Sequence, residues 1–269
     1  MPEPVLPSAE VVARVVDAEC GYAMARLGVL EALPANPVGV ERRRIGAGYA
    51  MSAAYLPNPH FNRVAGLTDD HANEIPELID WFDSRGIAAT FEVNPTIECP
   101  AVLAALAAAG FRHTGFHALV CGSATAEPAI PPPDVTTEDV TRDTLDDFLA
   151  AYARGWSVPE PDGFKRKVRG WLGQPDWHLF LGRLGGRPAG AAILFIYGGM
   201  GYCADSSVDP DHRGHGVHQA LLTRRIHAAY NLGADLVCAQ AAFASTSHRN
   251  MIRVGLATLH TKAVWTRPS

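Results

Sequence analysis

The tetrapeptide Arg213-Gly214-His215-Gly216 sits where one kind of sequence gives way to another. Before it, Ala191 to Ile196 and Gly201 to Val208 have strand character. After it, Leu222, Ile226, Ala229 and Leu232 recur at helical spacing, and Gly233 follows as a helix stop. Glycines at such a turn let the backbone approach a ligand closely. The first helical turn offers N–H groups with no intrahelical partner, at the positive end of the macrodipole. A phosphate or pyrophosphate is the guest this chemistry suits. Two familiar phosphate loops do not fit. A P-loop needs Lys-Ser/Thr after its second glycine, where this chain has Val217-His218. A dinucleotide loop wants a third glycine or alanine, where this chain has Gln219.

The longer run Val208-x-Pro210-x-x-Arg213-Gly214-x-Gly216 resembles the acetyl-CoA loop of the GCN5-related N-acetyltransferases, the GNAT family. That loop is usually Gln/Arg-x-x-Gly-x-Gly/Ala, starting at what is Arg213 here. The agreement holds at Arg213 and Gly216, and the departure is His218, where the family has a small residue. The resemblance implies acetyl-CoA, or another acyl-CoA, as co-substrate. Arg213, Gly214, His215, Gly216, Val217 and His218 would hold its pyrophosphate. The pantetheine would pair with the strand ending at Val208, through backbone groups from Ser206 to Val208, one of whose N–H groups would polarise the thioester carbonyl. An acceptor amine, made neutral first, would attack directly.

The run Ser247-x-Arg249-Asn250-Met251-x-Arg253-x-Gly255-Leu256 is similar to the family's late helix, which meets CoA before a Gly-Phe. It adds Asn250 as a cofactor contact. Many members carry, four residues before that glycine, a tyrosine that returns a proton to the leaving thiolate; here the position is Met251, which cannot donate. The groups left for proton transfer are Ser247 and Asn250 on the late helix, and Cys203 and Asp205 on the strand beside the thioester. Asp205, as a base acting through water, and Ser247 are the catalytic candidates. Each has a plainer reading: a turn or salt-bridge contact for Asp205, a buried core thiol for Cys203, helix capping for Ser247 and Asn250. Trp156, in Gly155-Trp156-Ser157-Val158-Pro159, lies in the segment that often covers the acceptor in this family, and is the substrate-binding candidate. Trp171, Trp177 and Tyr202 read as core or pocket lining. His212, His215 and His218 recur every three residues but straddle a turn whose backbone already has a use, so no metal is expected there.

At 269 residues the chain is too long for one such unit and long enough for two. A helix is expected over 8–33 with Ser8 as N-cap, then extended chain over 38–67, a helix over 72–84, a strand over 88–93, a helix over 101–109 and a strand over 113–121. This order is that of a GNAT second half, and Gly110-Phe111 after a helix resembles the family's late Gly-Phe. Yet the turn 67–73 has no glycine pair, and Asp69 and Asp70 stand where a pyrophosphate would need donors. Residues 1–125 are therefore read as a degenerate GNAT-like domain without a CoA loop, with an unrelated α/β domain as the alternative. Residues 126–134, rich in proline, read as a linker. Residues 135–269 are read as the acyl-CoA-binding domain: helices over 144–154 and 163–172, a hairpin of 177–184 with 188–197, the strand 201–208, the loop and its helix, a strand over 235–243, a short helix over 247–254 and a strand over 259–266. The fold class is thus α+β, two GNAT-like domains in tandem, each a mixed sheet flanked by helices.

A net charge of −5 argues against nucleic acid or an anionic membrane as partner. No apolar run has transmembrane length, and no signal-peptide pattern opens the chain. Five scattered cysteines without C-x-x-C suit reduced thiols in a cytoplasm. Richness in alanine, arginine, glycine and proline is that of a GC-rich bacterial genome. The expected activity is N-acyltransfer, most simply acetyl, to the amine of a small molecule, by a monomer or homodimer. The alternatives are an acyl-CoA-binding sensor without turnover and other acyl-CoA chemistry on the same fold.

Overall fold

The computed structural model describes residues 5–56, 59–94, 99–125, 130–156 and 169–268. The chain divides into two compact units, Pro7–Leu119 together with His260–Ser269, and Val120–Leu259.

The first unit opens with helix α1 (Ala9–Glu31), whose N-cap is Ser8; its hydroxyl accepts the Val11 N–H at 3.2 Å. Strands β1 (Val40–Ile45) and β2 (Gly48–Ala53) form an antiparallel hairpin, and β3 (Arg63–Ala65) follows. A 3-10 turn (Asp69–Glu74) leads into α2 (Ile75–Ser84), then β4 (Thr90–Val93), α3 (Pro100–Ala108) and β5 (Arg112–Ser123). The sheet order is β1-β2-β3-β4-β11, with β3 and β4 parallel. The last strand, β11 (Ala257–Thr266), pairs antiparallel with β4 from Ala263↔Val93 to Thr266↔Thr90, so the chain's final residues complete the sheet of its first unit. One face of α2, with Ile75, Leu78, Ile79 and Phe82, is buried against Phe91 and Leu106.

This unit also buries charge. Lys262 of β11 donates to Glu19 of α1 at 2.7 Å and to Glu92 of β4. Arg63 of β3 reaches Glu92 at 3.2 Å and Glu19 at 3.6 Å. The Tyr49 hydroxyl donates to Glu19, and His117 bonds Glu92 at 2.9 Å. Two cations facing two carboxylates leave no net charge to desolvate, the condition under which buried ions are tolerated.

The second unit opens not with a helix but with strand β6 (Val135–Asp139), which pairs antiparallel with β7 from Val135↔Leu184 to Asp139↔Phe180. The β-branched run Val135-Thr136-Thr137 explains it, since such side chains suit a pleated surface. Next come α4 (Leu145–Trp156), β7 (Trp177–Leu184), β8 (Arg187–Tyr197) and β9 (Met200–Val208), then α5 (Val217–Asn231), β10 (Leu236–Ala242) and α6 (Thr246–Arg253). Their order is β10-β9-β8-β7-β6, antiparallel except for β9 with β10. The second helix expected over 163–172 lies mostly outside the described residues, as do 126–129 of the expected linker. Helix α5 ends in a Schellman turn: the Gly233 N–H bonds the Tyr230 carbonyl, and the Ala234 N–H bonds that of Ala229. Its apolar face, with Leu221, Leu222, Ile226 and Ala229, packs on Phe180, Leu194, Val237 and Met251. Among the described residues no helix is long and apolar enough to cross a membrane.

Candidate functional site

Three features of the second unit converge on the end of β9. The first is a gap between parallel strands. The β9–β10 ladder covers Met200↔Leu236 to Tyr202↔Cys238, and both strands run on beyond it, to Val208 and Ala242. The second is a bulge at the start of that gap. In the β8–β9 register Ile193 faces Ala204 while Ala191 faces Ser207, so Asp205 and Ser206 together oppose Ala192. Asp205 takes a left-handed φ of 35°, a conformation that aspartate tolerates better than most residues. The third is the glycine turn beneath, which ends at Gly216 as the N-cap of α5 with φ 83°.

Side chains hold this arrangement from both sides. Arg225 of α5 is fully buried; its guanidinium donates to the carbonyls of Leu221, Ile193 and Ala204, the last being the peptide that leads into Asp205. On the opposite side, α4 lies directly on β9: a Cβ at Gly155 would come within 2.5 Å of Ser207. The Ser207 hydroxyl donates to the Tyr152 carbonyl at 3.4 Å. The Tyr152 hydroxyl donates to Asp205 Oδ2 at 3.1 Å. Trp156, half-exposed at the end of α4, has its ring centroid 6.2 Å from that of Tyr152. The rest of the segment expected to cover an acceptor, 157–159, lies outside the described residues.

The loop residues take distinct roles. The Arg213 side chain is committed to backbone, donating to the Val208 carbonyl at 3.2 Å and the Gly155 carbonyl at 3.3 Å, so it fastens the loop to β9 and α4. Gly214 and His215 are exposed, and His215 Nδ1 lies 3.0 Å from the Arg213 carbonyl. At Gly216 a Cβ would come within 2.7 Å of Pro132, which makes glycine obligatory there on two counts, contact and φ. Val217 is buried in the core, while the start of its helix presents the first-turn N–H groups. Asp209 accepts from Arg154 and from the Asp211 N–H; burial pushes its carboxyl up, but these bonds and the Arg154 charge outweigh it and leave the pKa below its ordinary value.

His218 is linked to α6. Asn250 Oδ1 accepts from Arg253 at 2.8 Å, so Asn250 Nδ2 faces His218 Nδ1, 3.3 Å away, and the ring proton belongs on Nε2. Burial, with the Arg225 charge behind it, pushes the His218 pKa down to about 4, so the ring is neutral at physiological pH. Burial raises the Cys203 thiol above its ordinary pKa, which makes it a core thiol and not a nucleophile. Met251 is buried in the core. Ser247 is not the N-cap of α6: Ser245 is, accepting the His248 N–H at 3.2 Å. In the run Ser245-Thr246-Ser247 three hydroxyl residues could each cap, and the turn at Ala242–Ser245 selects the first. The Ser247 hydroxyl makes no hydrogen bond to Asp205, His218 or Asn250 among the described residues. Ser206 Oγ is buried with no partner among them. Nor does any group of three His, Cys, Asp or Glu residues gather among them to hold a metal.

Sequence reasoning missed Tyr152. The signal was Phe148-x-x-x-Tyr152-x-x-x-Trp156, an aromatic stripe along one helical face, with centroids 6.1 and 6.2 Å apart in sequence order.

A mixed sheet that opens between two parallel strands, above a glycine turn and a helix N-terminus, defines the GNAT fold. The sequence agrees: residues 128–243, most of the second unit, match the family model described as "Acetyltransferase (GNAT) domain". No curated protein matches it in sequence. Among solved structures it is similar to a GCN5-related N-acetyltransferase from Kribbella flavida, 15% identical over 96% of this chain and 95% of that one, with a TM-score of 0.69. A GCN5-related N-acetyltransferase from Sphaerobacter thermophilus is 13% identical over 98% and 96%, with a TM-score of 0.62. A tandem GNAT protein from the clavulanic acid biosynthesis pathway is 13% identical over 99% and 98%, with a TM-score of 0.59. At these identities the likeness is one of fold.

Proposed function

We propose that the second unit binds acetyl-CoA along β9 and at the start of α5, and transfers the acetyl group to the amine of a small molecule by direct attack. The observation that carries this is the opening of the β9–β10 ladder after Tyr202↔Cys238, beside the bulge that bears Asp205. The free edge of β9 from Ser206 to Val208 offers backbone partners to pantetheine, and the Ser206 hydroxyl offers an unspent polar group. The N–H groups of Val217 and His218 serve the pyrophosphate. Asp205 takes the proton that the amine loses as its nitrogen bonds the acyl carbon; the C–S bond breaks, and the thiolate collects a proton from solvent or from the same carboxyl.

In this reading the first unit does not bind CoA. Its parallel pair β3–β4 is closed along the whole of β3, from Arg63↔Thr90 to Ala65↔Glu92. Asp69, at the corresponding turn, accepts the Ala101 and Val102 N–H groups and so caps α3. The chain is a tandem pair acting as a monomer or homodimer in a cytoplasm. One observation favours a second reading, acyl-CoA binding without turnover: the family's tyrosine position is Met251, buried in the core. A free-thiol assay with acetyl-CoA and a panel of primary amines tests the choice. Thiol release that requires both amine and Asp205 supports transfer. Acetyl-CoA binding with no release from any amine supports the sensor.

A further inference from the structure

We infer that Tyr152 is a positioning residue for Asp205: its hydroxyl orients the carboxylate and holds it ionised, in a chain whose family tyrosine has been replaced by Met251. The inference deepens the transferase reading and rests on it for its catalytic consequence.

The geometry has three parts. Asp205 sits on a bulge in a left-handed conformation, so its side chain leaves the alternation of β9. The peptide before it is fixed from the core side by Arg225 on the Ala204 carbonyl at 3.0 Å. On the α4 side the Tyr152 hydroxyl donates to Oδ2 at 3.1 Å, while the Tyr152 carbonyl accepts from Ser207, two residues further along the same strand. Tyr152 thus grips β9 through both its backbone and its side chain. It is itself held, being 4% exposed and flanked by Phe148 and Trp156. A hydrogen bond to the charged form of a carboxyl favours that form. A base so fixed loses little freedom when the acceptor arrives.

Several other ionisable groups on the described elements packed against this part of β9 have partners of their own or stand at an element's end. On α4, Arg154 serves Asp209 and Asp147 serves Arg183, with Asp146 at the exposed end of the helix. On α5, Arg225 holds carbonyls, Arg224 pairs with Asp139, His218 faces Asn250, and His227 and Tyr230 lie further along. On β8, Arg187 and Tyr197 stand at the two ends. On β10, the Cys238 thiol faces Met200, and on β9 itself Cys203 is buried. The Tyr152 hydroxyl is left to Asp205, to which it donates at 3.1 Å.

Tyr152→Phe tests this with little disturbance, because the ring and the backbone carbonyl remain. The first arm follows the Asp205 carboxyl carbon by NMR through a pH titration of the full chain, with Asp205→Asn as the assignment control. Loss of the hydroxyl should raise the Asp205 pKa by about one pH unit. The second arm measures acetyl-CoA turnover against pH with an accepted amine. The acid limb should move up by the same amount and kcat should fall about tenfold, while KM for acetyl-CoA stays unchanged because Arg213 and the α5 turn are intact. An unshifted Asp205 titration in a folded Tyr152→Phe protein overturns the inference whatever the turnover shows. A shifted titration in a chain that turns over no amine supports the Tyr152–Asp205 coupling and overturns the transferase reading.

Discussion

Replacing Lys262 with methionine removes one of the two cations at the centre of the first unit and keeps most of the side chain's volume. Lys262 is fully buried and contacts both Glu19 and Glu92, each at most 3% exposed. Without it, the two buried carboxylates keep the Arg63 cation but lose the second cation they share. Stranding a buried charge in this way costs about 3–5 kcal/mol, a large part of the about 5–15 kcal/mol that holds a domain together. At a urea slope of about 2 kcal/mol/M, the midpoint for this unit falls by about 2 M. Hydrogen exchange of the β4 amides, followed through urea, isolates the unit from its neighbour. The pH dependence carries a second signature. Burial pushes the Glu92 carboxyl up, but Arg63, Lys262 and His117 outweigh it and hold the carboxyl well below its ordinary 4.5. Its contribution is therefore complete above that ordinary value and is lost as pH falls through the depressed one. With Lys262 gone the depression shrinks, so the acid loss of stability begins at higher pH. A cost below about 1 kcal/mol, with the acid limb unmoved, would refute the reasoning.

Four further outcomes are expected. Asp205→Asn lowers acetyl-transfer turnover about 10²- to 10⁴-fold while leaving acetyl-CoA affinity unchanged by calorimetry. Gly216→Ala weakens acetyl-CoA binding about tenfold or more, because the new Cβ meets Pro132 and the left-handed turn costs about 1–2 kcal/mol; calorimetry reads both. Met251→Tyr does not speed transfer and costs about 1–3 kcal/mol in urea, since the position opens on the core. His218→Leu removes a pH-dependent loss of stability: the histidine's folded pKa of about 4 lies below its ordinary 6.5, so the wild type loses stability as pH falls between these values and the variant does not. Melting temperatures of the two proteins from pH 7 to 4 check the sign.

What the sequence revealed and what it hid follow from the range of the interactions. Ser8, the α5 turn and the Gly233 stop were legible because capping and glycine conformation are set within a few residues. The candidate site could be outlined for the same reason: Asp205, Val208, Arg213 and Gly216 lie within twelve positions of one another. Strand β6 was hidden by the prolines before it, and its partner β7 lies some forty residues on. Tyr152 meets Asp205 across 53 residues, and Lys262 meets Glu19 across 243, distances at which no local pattern speaks. The Arg213 side chain ties the carbonyls of Val208 and Gly155, a role that its place in the loop does not reveal without coordinates.

The claim at the centre of this account is that the opened strands β9 and β10 receive an acyl-CoA. Thermal unfolding with and without acetyl-CoA tests it most directly. At one hundred times Kd, a ligand that binds only the folded state adds about 2.7 kcal/mol, which for a unit of this size raises the melting temperature by about 5–10 °C or more. That rise, cut to about half or less in Gly216→Ala at the same concentration, is the result expected. An unmoved melting temperature with acetyl-CoA and with longer acyl-CoAs, in a protein whose unfolding is otherwise cooperative, would contradict it.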